Sequence, residues 1–355
     1  MIKILFALVT SFIVAVMATP ALIKVAYLKK LVDAPGDERK VHTRHIPTIG
    51  GITIFGATLF AYLLWYPVIE NISFKYIAAS MMILFFIGIK DDLVGTAPIK
   101  KLLGHLAVAF ILVFMAGIKI TSMHGLFGIH EIPDWAGILL SVFTYTVIVN
   151  AFNLIDGIDG LAAGVGIIVC FTFGAWFYLA GSVEDAILAF ALAGALLGFL
   201  IFNFAPARIF MGDSGSLLIG LIVAVLAIKI VEFSTLKLPL EMSRISKPIF
   251  AMSAIVYPMV DTLRIFLVRS IKGRSPFSAD RNHLHHKLID MGLSHRMTSF
   301  AVYGFTILTI SMAVFIPLEA NLKFVLLTVF VIGVSQIVPF IAVRRANSRL
   351  HEQEA

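Results

Sequence analysis

Three stretches of this 355-residue chain set short carboxylates beside glycine, asparagine or a second carboxylate. Asp91 and Asp92 are adjacent and follow Ile87-Gly88-Ile89-Lys90. Asn153, Asp156 and Asp159 lie in Asn150-Ala-Phe-Asn-Leu-Ile-Asp-Gly-Ile-Asp-Gly160, and Asp213 lies in Phe210-Met-Gly-Asp-Ser-Gly215. Adjacent carboxylates repel, so such a pair at an apolar boundary is stable mainly with a cation beside it. Short oxygen ligands without thiolates suit a hard ion such as Mg²⁺, with Mn²⁺ as a substitute, and that ion usually also takes substrate phosphate oxygens. Glycine next to aspartate lets the backbone approach a phosphate closely. The plain alternative is that Asp and Gly merely cap and turn helices. That reading suits any one pair; three clusters on one face favour the ion and the phosphate.

A fourth stretch is basic. Around Gly273-Arg-Ser-Pro-Phe-Ser-Ala-Asp-Arg-Asn-His-Leu-His-His286, the residues Arg269, Lys272, Arg274, Arg281, His283, His285, His286 and Lys287 form a cationic, hydrogen-bonding segment. Arginine and protonated histidine are natural donors to phosphate oxygens. Two other readings stay open: a loop that only sets membrane orientation, and a zinc site using His283 and His286 three residues apart. The polar stretch from Asp33 to Gly51 adds Lys40, His42 and Arg44 as phosphate contacts, and Gly50-Gly51 for close helix packing. His105, His124, His130, His295 and His351 carry no assignment beyond a structural one, and Asp261 and Arg264, three apart, read as a local ion pair.

The elements that must position these groups are membrane spans. The chain is 59% apolar and 14% charged, where soluble domains run near ~45–50% and ~25%; its mean hydropathy is +0.97. A span takes about 20 residues. Apolar runs predict eleven, near 4–23, 48–68, 74–90, 102–118, 136–153, 161–181, 186–203, 215–231, 247–268, 299–317 and 322–343. The expected architecture is an all-α polytopic membrane protein with a cytoplasmic active-site face, as one domain over 1–355. Soluble and β-barrel classes are excluded by the long apolar runs. The first run is too long for a signal-peptide core and reads as a span. Cys170, the lone cysteine, excludes a disulfide framework.

Net charge is +7, which in a membrane protein reports orientation before any nucleic-acid partner. With the N-terminus outside, 20 of the 28 Lys and Arg fall on the cytoplasmic side and 8 outside, and the C-terminus is cytoplasmic. The outer loop 229–247 strains this rule with four basic residues, offset only by Glu232 and Glu241. The outer carboxylates, Glu184, Asp185, Glu232 and Glu241 among them, read as loop solvation.

Arg39-Lys-Val-His-x-x-x-Ile-Pro-x-x-Gly-Gly51, Asp91-Asp92, Asn153-x-x-Asp-Gly-x-Asp-Gly160, Phe210-Met-Gly-Asp-Ser-Gly215 and His283-Leu-His-His286 occur in that order. The ordered set resembles the polyprenyl-phosphate N-acetylhexosamine-1-phosphate transferases, the bacterial WecA/TagO/MraY group, across essentially the whole chain. The His-x-His-His form resembles the WecA/TagO branch; Leu284 stands where that branch often has Ile. The resemblance implies a multi-pass enzyme of the bacterial inner membrane that needs Mg²⁺. It implies transfer of GlcNAc-1-phosphate from UDP-GlcNAc to undecaprenyl phosphate with release of UMP. That would be the first membrane step toward an envelope polysaccharide of O-antigen, common-antigen or teichoic-acid type. By position it implies Asp91 and Asp92 as the catalytic pair, and Asn153, Asp213 and Asp92 at the metal. It implies Asp159 and Phe210 at uracil, with Asp156 beside them, and His283, His285, His286 and Arg281 at the sugar-diphosphate. Lys100 or Lys101 is a further diphosphate contact, joined by Lys40 and His42. A homodimer is compatible with it. Three other readings compete: a related transferase for another UDP-N-acetylhexosamine, an intramembrane aspartyl protease, and a polytopic transporter. The last two would bury their ionisable groups within spans rather than at span ends.

Overall fold

The computed structural model describes residues 1–33, 46–67, 72–271, 273 and 283–354. In chain order the elements are α1 (Ile2–Leu28), β1 (Val32–Asp33), β2 (Ile46–Pro47), α2 (Gly51–Trp65), α3 (Ile72–Val94) and α4 (Pro98–Phe110), which ends in a π turn over Ile111–Met115. There follow the hairpin β3 (Ser122–Leu126) and β4 (Ile129–Glu131), then α5 (Asp134–Ile155), α6 (Leu161–Leu179), α7 (Val183–Asn203) and α8 (Asp213–Glu232). The chain closes with α9 (Leu240–Ser243), α10 (Lys247–Ala254), α11 (Val256–Ile271), α12 (Leu284–Asp290), α13 (His295–Phe315) and α14 (Ala320–Glu354). Strands β1 and β2 pair antiparallel, as do β3 and β4.

Nine described helices are long and apolar enough to cross a membrane, and α10 with α11 make a tenth as one span bent by 72°. The bend has a local cause. Pro258 has no N–H for the carbonyl of Ala254, and its ring crowds that carbonyl, which is how proline opens a helix. The eleventh expected span, 48–68, is a helix of only 15 residues, α2. Its expected first turn starts late because its backbone is committed elsewhere: Phe210 N–H donates to Pro47 O at 2.7 Å, Gly50 N–H to Phe210 O at 3.0 Å, and Gly51 N–H to Met211 O at 2.7 Å. The chain is thus an all-α multi-pass membrane protein, and eleven is an approximate count.

Helix α8 is the axis of the bundle. All but a few of its side chains are buried, and α5, α3 and α2 pack along it. A helix apolar on every side belongs at the centre of such a bundle. At its far end the outer carboxylates do more than face water. Glu232 accepts from Thr121 N–H at 2.8 Å and from its hydroxyl at 2.5 Å. Asp185 pairs with Lys229 at 2.5 Å and accepts from Ser182 Oγ at 2.7 Å. Tyr66 Oη donates to Glu184 at 3.1 Å. These acids tie helix ends together, which corrects the loop-solvation reading.

Candidate functional site

The site is built on the first turn of α8. Helix α3 approaches it through Gly88, where an added Cβ would lie 2.4 Å from Ser214 Cα, so the two backbones touch as only small residues allow. One turn further along α3, Asp92 sits over the helix start. Its Oδ1 accepts the Asp213 N–H at 2.7 Å, and its Oδ2 accepts the Ser214 N–H at 3.1 Å and hydroxyl at 2.6 Å. Those N–H groups have no partner within their own helix, and the helix dipole favours a negative charge there. Gly212, immediately before, has φ +71°, and a Cβ on it would meet Thr48 O at 2.2 Å and the Asp92 carboxylate at 2.7 Å.

Asp91 points about 100° round α3 from Asp92. Its Oδ2 lies 3.3 Å from Lys101 Nζ, and the same ammonium pairs with Asp213. Two carboxylates from two helices therefore share one cation from a third. Asn153 joins them from α5: its Nδ2 donates to Ser216 Oγ at 3.0 Å. Asp156 caps the end of α5 and accepts the Gly212 N–H. Burial, then the charges of Asp213, Asp92 and Asp159, push its carboxyl well above the usual range. All three carboxylate stretches thus converge on one helix start.

The histidine segment closes the other side. Asp261 on α11 is fully buried. Its Oδ2 lies 2.8 Å from His283 Nδ1 and its Oδ1 accepts the Leu284 N–H at 2.8 Å. This corrects the expected Asp261–Arg264 pair: the carboxylate turns across to the histidines rather than along its own helix. His285 Nδ1 lies 3.3 Å from Tyr257 Oη. Its Nε2 faces the Asp156–Asp159 turn, where a Cβ on Gly157 would come within 2.6 Å, and has no hydrogen-bond partner among the described residues. Burial pulls its pKa down to about 3, so it is a neutral imidazole. His286 stacks obliquely on it, ring centres 4.4 Å apart. The alternative zinc pairing of His283 with His286 on one helix is not formed, because His283 is the N-cap of α12. The donor atoms that do cluster, all within 4.8 Å, belong to Asp261, His283 and His285.

Between the two halves lies a cavity of about 520 Å³. Its polar lining includes Asp91, Lys101, His105, Asn150, Asn153, Arg269 and His283, and its apolar lining Leu102, Phe143, Val147, Leu154 and Phe266. Phe143 is 58% exposed on the apolar outer surface, so the cavity runs from the carboxylates to the lipid-facing side.

Sequence reasoning missed two of these residues. His105 lies one turn after Lys101, and that i, i+4 spacing was its available signal. Asp261 gave none, since its partner is 22 positions away. Lys100 is exposed, and Lys101 alone reaches the carboxylates. Asp159 Oδ2 accepts the Ala207 N–H at 2.9 Å, and its Oδ1 faces His295 Nδ1 at 3.7 Å. Phe210 is half-buried on the loop that pairs with Pro47 and Gly50. Lys40, His42 and Arg281 lie outside the described residues.

A divalent ion fits the first cluster better than the second. Asp91 and Asp213 already hold a cationic group between them, and Asn153 and Asp156 bring further oxygens, a donor set for a hard ion. Asp261, by contrast, already spends both oxygens on the histidine segment.

Comparison with known proteins gives a consistent picture. The profile of Glycosyl transferase family 4 matches residues 74–231, which run from α3 through α8. A probable undecaprenyl-phosphate N-acetylglucosaminyl 1-phosphate transferase of Bacillus subtilis is 33% identical over 85% of this chain and 82% of its own. A decaprenyl-phosphate N-acetylglucosaminephosphotransferase of Mycobacterium tuberculosis is 32% identical over 86% and 81%. An undecaprenyl-phosphate alpha-N-acetylglucosaminyl 1-phosphate transferase of Escherichia coli is 29% identical over 87% and 84%.

Proposed function

The chain belongs to glycosyl transferase family 4, and on that premise we propose that it moves GlcNAc-1-phosphate from UDP-GlcNAc to undecaprenyl phosphate, at the cytoplasmic face of a bacterial inner membrane. An oxygen of the lipid phosphate bonds to the sugar-bearing phosphorus, the bond from that phosphorus to UMP breaks, and UMP leaves. The observation that carries this reading is the cavity joining Asp91, Lys101 and His283 to an apolar wall that ends at exposed Phe143. A phosphate on a long hydrocarbon tail needs just such a site, charged at one end and open to lipid at the other.

Phosphoryl transfer asks for alignment and charge neutralisation more than for covalent help. Mg²⁺, held by Asp213 and Asn153, would supply a positive charge against the diphosphate. Lys101, poised between Asp91 and Asp213, is the side chain that can turn to a phosphate oxygen when the carboxylates are otherwise engaged. Asp91 lines the cavity and is the group placed to take the residual proton of the lipid phosphate, most of which is ionised near neutral pH. Asp92 acts one step back: it fixes the start of α8 and so the position of Asp213. Asp261 aligns His283 through Nδ1, which directs Nε2 of that ring away from the carboxylate. Asp159 and Phe210 remain our candidates for uracil, and Lys40, His42 and Arg281 for phosphate oxygens.

The test uses the purified full chain with radiolabelled UDP-GlcNAc and undecaprenyl phosphate, with and without Mg²⁺ or Mn²⁺. We expect labelled lipid and stoichiometric UMP only when both substrates and the ion are present. UDP-GalNAc and UDP-MurNAc-pentapeptide in parallel fix the sugar. Labelled UDP-GlcNAc accumulating inside vesicles with no lipid product would identify a transporter and end the proposal.

A further inference from the structure

Of the four basic residues of loop 229–247, which sit awkwardly with the charge asymmetry, Lys229 pairs with Asp185, while Arg244 and Lys247 line a cavity at the opposite end of α8 from the aspartates. That helix runs about 30 Å from the aspartate site to Glu232, which is bonded to Thr121 just ahead of the β3–β4 hairpin. Beside this end lies a cavity of about 480 Å³ lined by His124 and His130 of the hairpin, Arg244, Lys247 at the start of α10 and Lys323 at the start of α14. Among the described residues, Glu319 is its one lining carboxylate. Glu232, the acid whose charge reaches Lys247, spends its oxygens on Thr121.

Lys247 and Lys323 are 5% and 4% exposed. Lys323 Nζ donates to Ala313 O at 3.0 Å and Lys247 Nζ to Phe233 O. Among the described residues neither ammonium has a carboxylate at ion-pair distance. Each ammonium carries three donors, so one backbone carbonyl leaves most of its hydrogen-bonding capacity unmet. Buried charges are retained when something pairs with them. Two buried ammonium groups, an exposed guanidinium and two imidazoles around one polar cavity call for an anion with several acceptor oxygens.

We propose that this cavity binds a phosphate group, on the membrane face opposite the aspartates. The shared chemistry has two sources, the phosphodiester of an anionic phospholipid or free inorganic phosphate. The setting favours the lipid. The cavity lies at span ends, and Leu236 and Leu240 beside it are 99% and 76% exposed, side chains suited to the acyl boundary. Basic groups at such a boundary attract anionic lipid.

The experiment is native mass spectrometry of the purified full chain in detergent. It is titrated in separate arms with dioleoylphosphatidylglycerol, dioleoylphosphatidylcholine and inorganic phosphate. We expect phosphatidylglycerol adducts well in excess of phosphatidylcholine adducts. They should fall about 30-fold in Lys247→Gln/Lys323→Gln and about 5-fold in Arg244→Gln. Arg244 is exposed, so its variant keeps the test alive if the lysine pair is needed for folding. Phosphate adducts with the same variant dependence, and no preference between the lipids, would support the site with the free ion as ligand. Equal adducts for both lipids and none for phosphate, or adducts unchanged in Arg244→Gln and in a correctly folded lysine variant, would overturn the proposal.

Discussion

The partners of each functional carboxylate decide what its replacement should do. Asp213 shares Lys101 with Asp91 at the site of transfer. Asp213→Asn should lower metal-dependent turnover by about 100-fold or more, whereas Glu184→Gln, whose partner Tyr66 keeps an amide oxygen to donate to, should stay within about two-fold. Equal losses in the two variants would point to damaged folding rather than a site. Histidine chemistry has a pH signature. An unperturbed histidine would lose donor strength as pH rises through ~6.5, but His285 is buried and titrates near 3. Its neutral form is favoured by folding, so the unfolded chain binds the proton more readily between those two values. By linkage its contribution is complete above about 6.5 and is lost as pH falls toward 3. The thermal midpoint in detergent should therefore drop more steeply between pH 7 and 5 for the parent than for His285→Gln. Identical slopes would remove His285 as a buried neutral base. The segment also distinguishes recognition from mere charge. His283/His285/His286→Arg supplies the positive charge a topology loop needs and removes the imidazole geometry. We expect turnover to collapse, and full activity would mean the segment only sets orientation. Stoichiometric zinc in the purified chain would assign Asp261, His283 and His285 to that metal instead.

Helices in this protein position the site by how closely they touch. Gly88 lies 2.4 Å, in added-Cβ terms, from Ser214 Cα, while Gly56 has nothing within 4 Å. Gly88→Ala should therefore part α3 from α8, cost about 1–3 kcal/mol in stability, and reduce turnover by withdrawing Asp92 from the α8 N-terminus. Gly56→Ala should leave both unchanged or slightly improve stability. The measurement is a thermal midpoint paired with turnover for each variant; a neutral Gly88→Ala would mean that the contact is not tight in solution. The same elements explain what could be read without a structure. The three aspartate stretches announced themselves because residue type and glycine neighbours are local signals, and the long apolar runs gave the spans for the same reason. Pairings across the fold left no such trace. Asp92 caps a helix 121 positions away, and Asp261 reaches His283, 22 positions on. The bend at Pro258 and the shortened α2 were hidden as well: hydropathy counts apolar residues and is indifferent to whether the backbone holding them is straight or paired elsewhere.

On the scale of the whole molecule, α8 separates two faces of opposite character. At one end, carboxylates and Lys101 gather around Asp213; at the other, Arg244, Lys247 and Lys323 gather around a polar cavity. By the arrangement of spans expected from the sequence, the basic residues divide 20 to 8 between the two sides, with the aspartates on the richer side. Basic loops are retained in the cytoplasm, so the aspartate face should be the cytoplasmic one, where a nucleotide-sugar donor is made. Of the four basic residues of 229–247, Lys229 pairs with Asp185, and the anion proposed for the outer cavity offsets Arg244 and Lys247. Orientation can be tested independently of activity. A cysteine placed in the 127–128 turn of the β3–β4 hairpin, in a Cys170→Ser background, should react with a membrane-impermeant maleimide added to intact cells. An epitope after Ala355 should become accessible only once the inner membrane is opened. Both labels appearing on the same side would break the arrangement of spans. Both exchanging sides would leave the fold intact but turn the aspartates outward, away from UDP-GlcNAc, and the proposed donor would have to be abandoned.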